Sequence, residues 1–241
     1  MTHRALACSL AALAAMSSSA FAATLIHAGR LIDGVENAAL TERTIVVDGG
    51  RITAVERGYR AAAASDRVID LRSSTVMPGL MDMHVHITSE YNARAELDSY
   101  TKNEADRVLD GVQFAERTLL AGFTTVRDCG SGARTGPALR NAINAGKVRG
   151  PRIFASGKSI ATTGGHGDPT NGWAAHLLPP PDLMNSVVNG PEQAAEAVRQ
   201  RYKDGSDLIK ITATGGVLSI AKSGLNPQFT EEEIRAIVDT A

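Results

Sequence analysis

The chain is poor in aromatic residues, with one Trp, four Tyr and five Phe among 241 residues, and it has almost no charge imbalance, since 25 Lys and Arg stand against 26 Asp and Glu. The first shortage removes the stacking platforms on which single-stranded nucleic acid lies. The second removes the basic stripe that a phosphate backbone or an anionic membrane needs. Nucleic acid is therefore excluded as a partner, and a small molecule is the expected one. Cysteine is scarce too, two in all. Cys8 falls in an N-terminal leader, so the mature chain keeps Cys129 alone and cannot form an intramolecular disulfide. No apolar run is long enough for a stable membrane span. The longest, Ala5 to Met16, follows a single Arg and precedes small residues ending in Ala20-Phe21-Ala22. That pattern predicts a secretory signal peptide over residues 1–22 and a secreted or periplasmic protein.

What is present falls into two grammars. Residues 23–78 read as strand and turn: TLIHAGRLI, then RTIVVDGGRITAVE with Gly49-Gly50 as a hairpin signal, then RVIDLRSSTVM. This predicts a small antiparallel β-sandwich segment. From residue 79 to 241 strands alternate with helices. LMDMHVHI, FTTVRDC, RIFASG and DLIKITAT read as strands. Helices are expected near 101–121, 136–147 and 191–204, with a fourth opened by Thr230-Glu231-Glu232-Glu233, where the Thr230 and Glu233 spacing predicts a capping box. Pro179-Pro180-Pro181 marks a long loop. Repeated βα units place the chain in the α/β class, as the N-terminal half of a (β/α)8 TIM-like barrel. Four units are legible where a closed barrel uses eight, so the alternatives are an open four-stranded sheet or the first part of a longer barrel. The open edge of such a unit would favour association of copies into a homo-oligomer.

The stretch VMPGLMDMHVHI, residues 76–87, carries the first chemistry. Successive side chains of a strand point to opposite faces, so Asp82, His84 and His86 are expected on one face and Met81, Met83 and Val85 on the other. Two imidazoles on one face suit a divalent transition metal, and the motif closes the first barrel strand, at the end where such barrels keep their active sites. His-x-His alone also fits two histidines satisfied within a core.

PGLMDMHVH, AGFTTVRDCG, GPRIFASG and TGGHGD together resemble the metal-dependent amidohydrolase superfamily, in its imidazolonepropionase-like and Xaa-Pro or Xaa-Arg/Lys dipeptidase-like branch. The resemblance implies a β-sandwich beside a distorted barrel and a site for two Zn²⁺ ions. His84 and His86 would be ligands, and a carbamate on Lys210 would be the bridge. It implies hydrolysis of an amide C–N bond in a dipeptide or a small cyclic amide through a metal-bridged hydroxide. Physical chemistry supports the carbamate: an ammonium among Leu208, Ile209 and Ile211 is costly to bury, burial favours the neutral amine, and that amine can take up CO2. The alternative is a lysine reaching from a strand end to a carboxylate.

His166, in the glycine-rich TGGHGD, is a candidate for holding a substrate carboxylate or polarising the scissile carbonyl; the alternative is a loop histidine without a direct role. Asp82 is expected to orient an imidazole from behind. Arg127, Asp128 and Asp168 read as loop-fixing residues, His27 and His176 as structural, and Cys129 as a small core residue. The glycines between Gly130 and Gly136 lack nucleotide-loop spacing. The superfamily's later histidines and its proton-shuttling aspartate have no counterparts here, so this chain alone is expected to bind metal poorly and turn over little. The reading from a different class is a non-catalytic metal-binding or interaction domain.

Overall fold

A computed structural model describes residues 22–132, 134–178, 186–217 and 224–241. The expected signal peptide as far as Phe21 and the Pro179-Pro180-Pro181 loop lie outside the described residues. The chain divides into two compact units between Pro78 and Gly79.

The N-terminal unit is a four-stranded sheet of β1 (Thr24–Leu31), β2 (Leu40–Asp48), β3 (Arg51–Arg57) and β4 (Arg67–Val76), in the order β3-β2-β1-β4. β2 and β3 form the expected hairpin. Gly49 and Gly50 both take positive φ, 55° and 75°, as a two-residue turn matched to strand twist demands. The expectation of a purely antiparallel unit is corrected: β4 pairs parallel to β1. The physical reason is the connection after β3, which crosses to the far edge of β1 instead of turning back. It is pinned on its way by Thr44, whose hydroxyl donates to the Gly58 carbonyl at 2.8 Å and accepts from the Arg60 N–H at 2.9 Å. Leu25, Ala28, Leu31, Ile45 and Val46 are buried.

The C-terminal unit begins with β5 (Leu80–Val85), followed by α1 (Ala95–Thr101), α2 (Glu104–Leu120), β6 (Phe123–Asp128), α3 (Thr135–Asn144) and β7 (Arg152–Ala155). β5, β6 and β7 form a parallel sheet in that order. Ile87, Ala115, Val126, Leu139, Ile153 and Ala155 make its core, each large apolar side chain contributing roughly 1.5–3 kcal/mol on leaving water. Two short strands, β8 (Ala161–Thr162) and β9 (Val187–Val188), pair in parallel, and α4 (Pro191–Asp204) and α5 (Glu231–Thr240) close the order. A second core of Ile160, Val188, Ala194, Ala197, Val198, Phe229 and Ile237 lies beneath them.

Sequence logic explains the helix ends. Pro191 opens α4, and Gly205 at φ 88° ends it in the left-handed conformation, as the N-terminal proline and C-terminal glycine preference requires. In α5 the Glu233 N–H donates to the Thr230 hydroxyl at 3.3 Å, and the Thr230 N–H donates to the Glu233 carboxylate at 2.8 Å. The same carboxylate accepts from the Gly190 N–H at 2.6 Å, so one side chain joins the starts of α4 and α5.

The helix expected near 101–121 is α2, and the short α1 precedes it. Asn103 separates the two, its N–H donating to Asp106 at 2.8 Å, while the Lys102 ammonium sits 3.2 Å from Asp98 and 2.7 Å from Asp110. One further expectation is corrected: DLIKITAT is not a regular strand. It makes an isolated bridge, with Lys210 and Thr212 bonded to the backbone of Ile160 at 2.8 and 3.0 Å. β7 ends at Ala155, and Gly157 at φ 64° turns the chain before Ile160, so the neighbour offers only a short edge. Alternation along a strand would put Leu208 on one face with Lys210 and Thr212, but Leu208 joins Ile209 and Ile211 along a separate apolar groove of about 960 Å³.

Candidate metal and substrate site

His84 and His86 are brought to one place by the end of β5. Val85 and Ile87 pack into the core beneath the sheet, so the residues between and before them turn the other way. The alternation expected from Asp82 to His86 does not run unbroken. The β5–β6 register shifts between Asp82 and Val85, and Met81 and Met83 are exposed at 68% and 41% rather than packed on a shared apolar face. Asp82 accepts from the backbone N–H of His84 at 2.9 Å, so in the structure it holds the strand at His84 and not an imidazole. Asp128, fully buried at the end of β6, accepts from the Ile87 N–H at 3.3 Å and fixes the backbone just beyond His86. Burial pushes its carboxyl upward, against the opposing pull of neighbouring hydrogen bonds and of His86.

His84, His86, His166, Lys158, Lys210 and Ser159 line a cavity of about 410 Å³. The two strand imidazoles lie 5.7 Å apart between ring centroids, tilted by 55°, and His84 Nε2 is 3.4 Å from Lys210 Nζ, longer than an ordinary hydrogen bond. Tautomers follow from the partners. His86 Nδ1 lies 2.7 Å from the Gly130 carbonyl, which can only accept, so Nδ1 carries the proton and Nε2 keeps its lone pair. The Lys210 ammonium can only donate, so His84 also presents a lone pair at Nε2. The Lys210 charge is the main cause, followed by burial and the charges of His86 and Arg127, that holds the His84 pKa below the usual imidazole range. The neutral ring is the metal-binding form.

This donor set fits a metal in part. Among the described residues no three His, Cys, Asp or Glu side chains gather as a metal cluster; the third group beside the two histidines is Lys210, an ammonium donor until it loses its proton.

His166 enters from a loop built to hold it. Its N–H donates to Gln228 Oε1 at 2.8 Å. Asp168, buried, accepts from the Gly164 N–H at 2.8 Å and from the N–H and hydroxyl of Thr170 at 2.9 and 2.7 Å. Burial works to raise the Asp168 carboxyl, but these bonds together hold it below the ordinary value. Gly216 lies against the His166 ring so closely that a Cβ there would fall 2.2 Å from Cε1. Lys158 and Ser159 are the site residues that sequence reading missed. Their position just past the third strand of the βα series, at the end that faces the site, was the available signal.

Comparison with known proteins gives four results. The pattern of the amidohydrolase family matches residues 75–241. The chain is 51% identical to a Xaa-Pro dipeptidase whose crystal structure has methionine bound in the active site, with a TM-score of 0.86 over 91% of this chain and 54% of that one. It is 30% identical to the ochratoxinase of Aspergillus niger over 239 residues, 90% of this chain and 48% of the relative. An imidazolonepropionase of Streptomyces avermitilis is 25% identical over 180 residues, 68% of this chain and 41% of the relative. The chain thus spans about half the length of the relatives it matches.

Proposed function

Because the chain belongs to the amidohydrolase family, a family of hydrolytic enzymes that are generally metal-dependent, we propose that it provides His84, His86 and Lys210 to a metal-dependent hydrolase of amide C–N bonds, of the dipeptidase or carboxypeptidase kind. The carrying observation is the convergence of the two Nε2 lone pairs with Lys210 in one cavity. The 51% identity to a Xaa-Pro dipeptidase favours dipeptides over the cyclic amides suggested by the 25% identity to an imidazolonepropionase. The parallel β5-β6-β7 sheet with its helical connections supports reading residues 79–241 as the N-terminal half of a (β/α)8-type barrel. The apolar run from Ala5 to Met16 and the Ala20-Phe21-Ala22 ending support reading residues 1–22 as a signal peptide and the protein as exported.

Each residue then has a task. His84, kept neutral beside Lys210 at 3.4 Å, retains its Nε2 lone pair. The Lys210 ammonium gives one proton to solvent and the free amine attacks the carbon of CO2: a C–N bond forms, one C=O π bond opens onto oxygen, and the nitrogen gives its second proton to solvent, leaving a carbamate with two acceptor oxygens. His86 is held in the coordinating tautomer by the Gly130 carbonyl. Asp82 and Asp128 fix the backbone on either side of the two histidines. His166, which lines the same cavity, would hold the substrate. Zn²⁺ held by these residues would polarise the amide carbonyl and lower the pKa of water.

The test is chelator-sensitive amide hydrolysis. In the hydrolase to whose barrel residues 79–241 contribute, dipeptide cleavage should be lost with a chelator, return with Zn²⁺, and be abolished by Lys210→Ala and His84→Asn. Cleavage indifferent to the chelator and to both substitutions would refute the reading.

A further inference from the structure

The metal reading gives Lys210 a task but does not explain its place. Residues 208–213 carry it on a single isolated bridge, Ile160 with Ile211, where a regular strand would have a ladder. Ile209 and Ile211 pack against the second core, which opposes a slip by one residue, because that slip turns every side chain to the other face. Packing does not oppose a slip by two. Such a slip keeps the faces and would bring Leu208 or Thr212 to the place of Lys210, removing the amine that stands 3.4 Å from His84.

The segment is stopped lengthwise just before it begins. The Asp207 N–H donates to the Ala155 carbonyl at 2.8 Å, and the Ala155 N–H donates to the Asp207 carboxylate at 2.9 Å, so one residue closes two bonds onto the end of β7. Beside it the Ser206 hydroxyl donates to the Ser156 carbonyl at 2.8 Å. Arg140 of α3 donates to the same Asp207 carboxylate and, at 2.9 Å, to the Gly205 carbonyl. Its side chain is only 14% exposed, so the pair is screened less than a surface one. Ala155 to Ile160 is one residue longer than Asp207 to Ile211, and Gly157 at its left-handed φ of 64° lies in the longer path. No continuous ladder thus carries the β7 register to Lys210; the Asp207 anchor and the Ile160 bridge hold it from either side. We propose that Asp207, clamped by Arg140, is the positioning residue that sets Lys210 beside His84. The inference rests on the metal-site reading for what Lys210 does there, but not for how it is placed.

The test reads the contact between Lys210 and His84 in the metal-free full chain carrying ¹⁵N-labelled histidine, at fixed pH. Removing the ammonium by Lys210→Met should move the His84 ring resonances of the parent, and that displacement measures proximity. In an Asp207→Ala background it should shrink at least about threefold, because the field of a charge fades with distance. Asp207→Asn keeps an oxygen to accept from the Ala155 N–H and should keep most of the displacement, a rescue that a merely destabilising change would not show. Arg140→Met leaves the Ala155 bonds but frees the carboxylate, and should give an intermediate value. A displacement as large in Asp207→Ala as in the parent would overturn the proposal; if near-ultraviolet circular dichroism shows that Asp207→Ala does not fold, an undiminished displacement in Arg140→Met would do so. Zn²⁺ uptake with bicarbonate separates the two readings. A displacement that depends on Asp207 in a parent that takes up no Zn²⁺ would refute the metal centre and leave the positioning standing; uptake that needs Lys210 but is untouched by Asp207→Ala would do the reverse.

Discussion

Gly216→Ala should displace the His166 imidazole and so disable the substrate side of the cavity. The added Cβ would lie 2.2 Å from Cε1, 2.4 Å from Nδ1 and 2.6 Å from Nε2 of that ring. Carbon contacts settle near 3.5–4.0 Å, so the ring must retreat by about 1 Å or more. The loop cannot follow cheaply, because the His166 N–H is held by Gln228, the Gly165 carbonyl by the Asn171 side chain at 2.6 Å, and Asp168 by three further bonds. The imidazole therefore swings while its backbone stays. Because the His166 ring is exposed and can turn away, the cost is at the low end of overpacking, about 1 kcal/mol, a fall in Tm of roughly 2–4 °C for a chain of this size. A reacting or binding group misplaced by about 1 Å can cost on the order of a hundredfold in rate. Thermal unfolding and the His166 ring resonances would be compared in Gly216→Ala, His166→Ala and the double variant. Removing the ring relieves the clash, so Gly216→Ala should be destabilising in the parent and nearly neutral in the His166→Ala background. Equal destabilisation in both backgrounds, or an unmoved His166 resonance, would refute the reasoning.

Glu233→Ala strips an acceptor from the N–H groups of Gly190 and Thr230 at once. With charged hydrogen bonds worth about 1.5–3 kcal/mol each, urea denaturation should show a loss of about 3–6 kcal/mol, while Glu233→Gln keeps one acceptor and loses less. Arg72→Ala should return the Asp70 carboxyl from about 2 towards 3.8, because the hydrogen bond from the Arg72 side chain is the main cause of its depression; carboxyl ¹³C titration reads this directly. A folded-state value below the unfolded one means that the contribution is present above pH 3.8 and is lost as pH falls through about 2. The variant should thus differ from the parent near neutrality and converge with it in strong acid.

Much of the site was legible because its signals are local. His84, His86 and Lys210 stand in short motifs whose chemistry is unusual among apolar neighbours, and the structure puts them around one cavity. The Thr230 and Glu233 cap was legible for the same reason, since three residues of spacing decide it. What escaped was non-local. The parallel pairing of β4 with β1 depends on a crossing connection whose anchor, Thr44, lies in another strand. Asp82 shares the right parity with the histidines, but the register shift and its bond to the His84 backbone are set by β6 and by its own side-chain torsions. Leu208 and Lys210 were placed on one face by alternation, which holds only while a strand has a ladder to lie in, and DLIKITAT has a single-residue bridge. Lys158 was overlooked because one lysine beside a glycine has no pattern of its own; only the fold shows which end of the sheet it occupies.

Equilibrium dialysis against Zn²⁺ with bicarbonate present, followed by elemental analysis, tests the central claim that His84, His86 and Lys210 act together as a metal-binding centre. The parent should take up Zn²⁺ above the level of denatured protein, and uptake should fall to background in a His84→Asn, His86→Asn double variant. It should also fall markedly in Lys210→Ala, with partial recovery when a small carboxylic acid is supplied in place of the carbamate. Uptake that is absent from the parent, or unchanged in the double variant, would contradict the account.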